Sequence, residues 1–272
     1  MSSVAVEISV FGPIRRISLM PLEPPHGAQL SVYRVGDVLV DTGGTRVTDA
    51  LVDALADDPP RRIYLTHQHE DHVGNIAALR AAFGPLAVHA PEAVVDVIAA
   101  TVRVPPYRAA YWGHPLPIDR EDLIPYRPGE SFEAAGLHFV AEHSPGHTPP
   151  HIALVAETAT TIFALTGDLY SSRPLEAFFE SATDDTITSY RRLARYGERL
   201  CMLPTHGRVR ENGASVLSEA ADWLEREAEA VLVASATVGT RDPVILARSQ
   251  YGEDPIFATS QGEIGSPVFV RS

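Results

Sequence analysis

Ile63-Tyr64-Leu65-Thr66-His67-Gln68-His69-Glu70-Asp71-His72 is the stretch on which the reading of this chain turns. An apolar run leads straight into three imidazoles and two carboxylates within six consecutive positions. A turn between a strand and a helix needs Gly, Asn, Asp or Ser and has no use for three histidines. Gathering these groups is costly unless a cation occupies them, and neutral imidazole with carboxylate suits zinc, iron or manganese. In an extended stretch His67 and His69 project to the same side, whereas Asp71 and His72 fall where the chain should turn into a helix from about Asn75. Two pairs of ligands can therefore face one cavity.

The rest of the chain supplies what a two-cation site would still lack. His147 lies in Ser144-Pro145-Gly146-His147-Thr148, Asp168 in Thr166-Gly167-Asp168, and His206 in Pro204-Thr205-His206-Gly207. Each follows a stretch that reads as a strand: Leu137 to Glu142, Thr161 to Leu165 and Leu200 to Leu203. All three read as ligands at strand ends. Earlier in the chain, Leu39-Val40-Asp41-Thr42-Gly43 ends another short strand on a carboxylate.

The H-x-H-x-D-H stretch, followed at long spacing by His147, Asp168 and His206 and preceded by the D-T-G segment at Asp41, resembles the metallo-β-lactamase superfamily of hydrolases and oxidoreductases. The likeness runs from about Val32 to Gly207. Asp168, where some zinc β-lactamases carry cysteine, is closer to the glyoxalase-II-like, ribonuclease-Z-like and lactonase branches. The resemblance implies an α/β fold, a four-layer αββα sandwich. It implies that His67, His69 and His147 hold a first metal, that Asp71, His72 and His206 hold a second, and that Asp168 bridges them. Two zinc ions are the implied cofactors, with iron or manganese as alternatives, and Asp71 and Asp168 are the residues implied to take part most directly in catalysis.

Composition bounds the rest. A chain of 272 residues can bury a sizeable core, and 45% hydrophobic with 21% charged residues places it among globular proteins. No stretch approaches the length of a membrane span, and Met1 to Phe11 lacks the basic start and apolar core of an export signal. The single Cys201 cannot form an internal disulfide, which fits a reducing cytoplasm. Its apolar neighbours mark it as a buried strand thiol. A formal charge of −13 argues against nucleic acid as a partner and favours a small molecule. A homo-oligomer is compatible with all of this.

Along the chain, Val4 to Val10, Ile14 to Met20, Leu30 to Val35 and Val38 to Asp41 read as strands, followed by a helix over Val47 to Ala56 and a strand over Arg62 to Leu65. Helices are expected over Asn75 to Phe83 and Glu92 to Val102, with a strand at Leu86 to His89 between them. Strands near Ser131 to Ala134, Leu137 to Glu142, His151 to Ala156 and Thr161 to Leu165 build a second half. The expected division is a catalytic domain over 1–210 and a small helical or winged-helix-like appendage over 211–272, the latter opening with a helix at Ala214 to Ala234 and ending in a short hairpin near Ile256 to Val268.

Several further residues are candidates for contacts at the site. The resemblance implies that Asp41 is a carboxylate that orients ligands or their loop, where Asp41-Thr42-Gly43-Gly44 by itself also reads as turn chemistry. His151, four residues after His147, reads as a support or substrate contact, with Pro150 where the superfamily usually has glycine. Tyr170 lies two residues after Asp168. The segment Arg103 to Gly129, rich in proline and aromatic residues, reads equally as a binding loop and as a stiff surface connection, with Tyr107, Tyr111 and Trp112 offering substrate contacts. The leading functional expectation is hydrolysis of a small ester, thioester or lactone by a metal-bridging hydroxide. A mononuclear iron oxidoreductase resembling persulfide dioxygenases is the alternative, and a phosphodiesterase or ribonuclease comes third.

Overall fold

The computed structural model describes residues 4–22, 29–100, 104–172 and 182–272. Two sheets carry the fold. The first has seven strands in sequential order: β1 (Val4–Phe11), β2 (Ile14–Pro21), β3 (Leu30–Val35), β4 (Val38–Val40), β5 (Arg62–Tyr64), β6 (Ala87–Pro91) and β7 (Leu123–Tyr126). Pairing is antiparallel from β1 to β4 and parallel from β4 to β7. The second sheet runs β12 (Leu200–Pro204), β11 (Ile162–Gly167), β10 (Ile152–Glu157), β9 (Leu137–His143), β8 (Ser131–Ala134). Only its β11–β12 pair is parallel.

Period-two alternation decides how the layers stack. Along β4, Val38 and Val40 face the second sheet while Leu39 faces outward. Along β10, Ile152, Leu154 and Ala156 meet the first sheet, and Ala153 and Val155 point the other way. The outer face of the first sheet is covered by α1 (Thr48–Leu55), α3 (Ile76–Phe83) and α4 (Val95–Ala99), through Leu51, Leu55, Ile76, Leu79, Val95 and Ile98. The outer face of the second is covered by α6 (Thr183–Ala194) and α7 (Gly213–Val238), through Tyr190, Leu193, Leu217, Leu224 and Val231. Three apolar seams thus separate four layers, in the expected αββα order. No single helix among the described residues is long and apolar enough to cross a membrane.

The C-terminal hairpin expected near Ile256 to Val268 is not what forms. After α8 (Pro243–Tyr251) the chain makes two short helices, α9 (Pro255–Thr259) and α10 (Ser266–Arg271), with no strand among the described residues of this region. Asp254 is the physical reason. Its Oδ1 accepts from the backbone N–H of Ile256 and Phe257, capping α9, and its Oδ2 accepts from Ser266 N at 2.6 Å and Ser266 Oγ at 2.8 Å, drawing in the start of α10. Prolines near both helix starts give up an N–H that would have no partner there. Val268 and Phe269 then pack beside α7, so no wing forms.

Burial works against ionisation of Asp254, but the hydrogen bonds from Ser266, Phe257 and Ile256 outweigh it and lower its pKa. Its stabilising effect is therefore present above the ordinary carboxylate range and is lost as pH falls through the lowered value. Asp254→Ala should cost about 1 to 2 kcal/mol, the scale of a lost helix cap. Urea unfolding at neutral pH checks this, and a midpoint equal to wild type would remove the latch from the account.

Candidate metal centre

Every candidate ligand sits where a strand gives way to a loop or helix at one edge of the sandwich. β5 ends at Tyr64, and the loop after it carries His67 and His69. The first residues of α2 (Glu70–Val73) carry Asp71 and His72. His147 and Asp168 follow β9 and β11, and His206 follows β12. The donor atoms of His67, His69 and His147 all lie within 4.8 Å of one another, and so do those of Asp71, His72, Asp168 and His206. His147 Nε2 is 2.9 Å from His69 Nδ1, and His206 Nε2 is 2.9 Å from Asp71 Oδ2. Asp168 Oδ2 joins the groups, 3.6 Å from His147 Nε2, 3.2 Å from His72 Nε2 and 3.5 Å from His206 Nε2.

The imidazoles are aimed by their other nitrogens. His72 Nδ1 lies 2.8 Å from Asp41 Oδ2, His206 Nδ1 2.9 Å from the carbonyl oxygen of Gln29, and His67 Nδ1 3.0 Å from Thr66 Oγ1. Asp41 is itself held in the left-handed region at φ 58°. That bend lets its Oδ1 accept from Thr66 N and its Oδ2 from Thr66 Oγ1, so one carboxylate fixes both the loop and a ring. Asn75 completes the frame, donating from Nδ2 to the carbonyls of Thr42 and Gly44. His151 is buried between Ser144 Oγ, 2.9 Å from its Nδ1, and the backbone N–H of Asp168, which donates to its Nε2 at 3.2 Å. Burial takes His151 down to about 3, so it is a neutral acceptor that anchors Asp168.

The residues fit a pair of cations. His67 Nε2 and Asp168 Oδ1 are buried and lack a hydrogen-bond partner among the described residues. Burial pushes His67 and His69 well below the ordinary histidine range, which keeps them neutral as cation ligands must be. In the other group burial disfavours the charged rings, yet Asp168 and its neighbouring carboxylates raise His72 well above that range and bring His206 to about 9. Asp168 is held well below the usual carboxylate range, its burial outweighed by His206 and His72. Two buried carboxylates, Asp41 and Asp71, and Asp168, whose side chain is 9% exposed, thus demand positive charge that protons or a divalent cation can supply.

The same residues fall inside a known family. The family model for the metallo-beta-lactamase superfamily matches residues 31–206. The chain belongs to the metallo-beta-lactamase superfamily. Among named relatives of this superfamily member, the hydroxyacylglutathione hydrolase of Serratia proteamaculans (strain 568) is 26% identical over 169 residues, covering 62% of this chain and 56% of that protein. The hydroxyacylglutathione hydrolase of Pseudomonas savastanoi pv. phaseolicola is 28% identical over 149 residues, covering 53% and 46%. The chain spans about half the length of the curated relatives it matches. In fold, it is similar to a metallo-beta-lactamase family protein of Thermus thermophilus, with TM-score 0.66, 21% identity and 94% and 93% of the two chains covered. A beta-lactamase domain protein of Burkholderia ambifaria gives TM-score 0.69 at 15% identity, covering 97% and 86%.

Other candidates of the superfamily member land differently. Trp112, at the end of α5 (Pro106–Trp112), has its ring 5.3 Å from that of His206, and the exposed Tyr111 lies beside it. Tyr107 instead hydrogen-bonds Glu263. Tyr170 packs against Tyr190 and beneath the Arg210 guanidinium, toward the helices that cover the second sheet. Cys201 is buried between the sheets, and burial raises its thiol to about 11. Sequence reasoning missed the partner of Glu70. This carboxylate, between His69 and Asp71, is only 3% exposed and pairs with Nε and Nη2 of the Arg108 guanidinium. Nothing in the sequence near Arg108 marks it.

Proposed function

We propose that this chain is a dinuclear metal-dependent hydrolase acting on a small ester, thioester or lactone. Zinc is the first metal to test, with iron and manganese as alternatives. The observation that carries the reading is the place of Asp168, whose Oδ2 lies within 3.6 Å of both His147 and His72. A single iron bound by two histidines and an aspartate would leave Asp71, His72 and His206 grouped around buried charge without a use.

When bound, two divalent cations polarise a carbonyl oxygen and lower the pKa of water toward neutrality. His67, His69 and His147 would hold one of them, Asp71, His72 and His206 the other, with Asp168 reaching both. Asp41 would keep the lone pair of His72 Nε2 turned into the site by accepting the Nδ1–H. His151 would keep the Asp168 loop at its height by accepting the backbone N–H. The Trp112 ring would shield one side of the site from water and offer an apolar wall to an acyl group. No serine, cysteine or lysine nucleophile is called on.

The names of the relatives and the acidic balance of the chain support a small acyl thioester over a polyanionic substrate. The test is metal analysis of protein purified without added metal, together with assays on acyl thioesters, aryl esters and lactones. About two equivalents of zinc and hydrolysis abolished by a chelator and restored by zinc is the expected result. One equivalent of iron with oxygen uptake would replace this reading by the oxidoreductase.

A further inference from the structure

α5 lies over the candidate metal centre, yet none of its seven residues is buried. Its apolar packing is confined to the partly buried Trp112 against the core beneath the first sheet, so the rest of the helix is seated by polar attachments. At its C-terminal end Arg46 Nη1 donates to the carbonyl of Ala110 at 2.9 Å and Thr45 Oγ1 to that of Trp112 at 3.4 Å. In the middle, Arg108 makes a second and stronger attachment. Its Nε donates to Glu70 Oε1 at 2.6 Å, its Nη2 to Glu70 Oε2, and its Nη1 to Glu263 Oε1 at 3.1 Å. Glu263 also accepts from the Tyr107 hydroxyl. One guanidinium thus ties together the ligand-bearing α2, the helix that carries Trp112, and the segment between α9 and α10.

We propose that Arg108 is a positioning residue for substrate binding: by clamping Glu70 to Glu263 it seats Trp112 beside His206, so that the C-terminal segment helps set the shape of the substrate pocket. This rests on the hydrolase reading. The two carboxylates are not equivalent. Glu70 has a side chain 3% exposed, cannot shed its charge into water, and needs a planar fork opposite it. Glu263 is 32% exposed and can be solvated if released. The Glu70 contact is therefore obligatory and the Glu263 contact adjustable.

The chain has two tryptophans, Trp112 and Trp223, so a Trp223→Phe background makes Trp112 the sole indole reporter. In that background, acrylamide quenching of Trp112 should rise about two-fold for Arg108→Gln, and by less for Arg108→Lys and Glu263→Gln, as the seated population falls. On the best substrate, KM should rise on the order of 10-fold for Arg108→Gln and about 3-fold for Glu263→Gln, with kcat and zinc content close to wild type. The quenching measurement needs no substrate and no metal. If the wild type hydrolyses none of the compounds, the hydrolase reading fails while the seating of α5 is still tested. Should Arg108→Gln not fold, Arg108→Lys and Glu263→Gln carry both measurements. Folded variants with unchanged quenching, or a lowered thermal midpoint with unchanged KM, would overturn the proposal.

Discussion

Asp168→Ala is expected to bind less metal and to lose on the order of 100-fold or more in kcat/KM, since removal of groups that only support ligands already costs 10 to 100-fold in such sites. The variant removes one carboxylate from between two sets of imidazoles. His147, His72 and His206 all lie within 3.6 Å of Asp168 Oδ2, so both halves of the centre would lose negative charge at once. Two cations held side by side would then repel with less compensation, and one of them should be released. Asp168→Asn separates charge from shape, because the amide keeps the volume and one acceptor but not the negative charge. Zinc titration followed by calorimetry is the measurement. Two tight equivalents in Asp168→Ala, with near-normal turnover, would confine the centre to His67, His69 and His147.

The fold was legible where the chain repeats one device, an apolar strand ending on a candidate ligand. Ile63 and Tyr64 before His67, Phe163 and Leu165 before Asp168, and Met202 and Leu203 before His206 are each buried on both faces of their sheet. A strand sandwiched between layers must be apolar throughout, and that leaves a strong sequence signal. β7 escaped notice because Pro125 stands in it, yet β7 pairs only with β6 at the sheet edge, where a missing N–H costs little. α6 begins with Asp184 and Asp185 and packs partly through Thr183, Thr186 and Ser189, so its inward face is not marked by large apolar residues. Of the expected helix from Glu92 to Val102, a 3-10 turn and α4 form over Glu92–Val94 and Val95–Ala99, and Val102 lies outside the described residues.

The site divides along the same line. A side chain that is to ligate a cation such as zinc must carry a donor such as imidazole, carboxylate or thiolate, which leaves a chemical mark at its own position. Supports need only be in the right place. Asp41 stood out only through the resemblance of its D-T-G segment to the superfamily. Arg108 meets Glu70 from 38 residues away and Glu263 from 155, and an isolated arginine in a proline-rich stretch says nothing of either distance. Tyr170 was singled out by its nearness to Asp168 in sequence, and nearness in sequence does not foretell the contacts its ring makes with Tyr190 and the Arg210 guanidinium.

Gly74→Ala should be among the most damaging single changes to this chain, although it adds one methyl group. Gly74 follows the ligand-bearing α2 with ordinary helical angles, φ −59° and ψ −35°, so alanine incurs no backbone strain. The obstacle is space. A Cβ there would lie 2.7 Å from the carbonyl oxygens of both Glu70 and Gly43 and 2.9 Å from Gly44 Cα. These are backbone atoms, and the Gly43 and Gly44 segment is held by Asn75 and pressed against Trp112. No side-chain rotation relieves the clash, so α2 or the loop must move, carrying Asp71 and His72 with it. Overpacking of this kind typically costs about 1 to 3 kcal/mol, and the rigidity on both sides puts Gly74→Ala at the upper end. Gly84→Ala is the matched control. Gly84 has φ +85° and nothing within 4 Å of an added Cβ, so alanine there meets strain without crowding. Expected results are a marked fall in urea midpoint and zinc affinity for Gly74→Ala, against a loss of about 1 kcal/mol and normal zinc binding for Gly84→Ala. Equal stability losses with zinc affinity intact in both would mean that α2 can shift without disturbing its ligands, and the tight junction between the Asp41 loop and the histidine motif would then not be what shapes the centre.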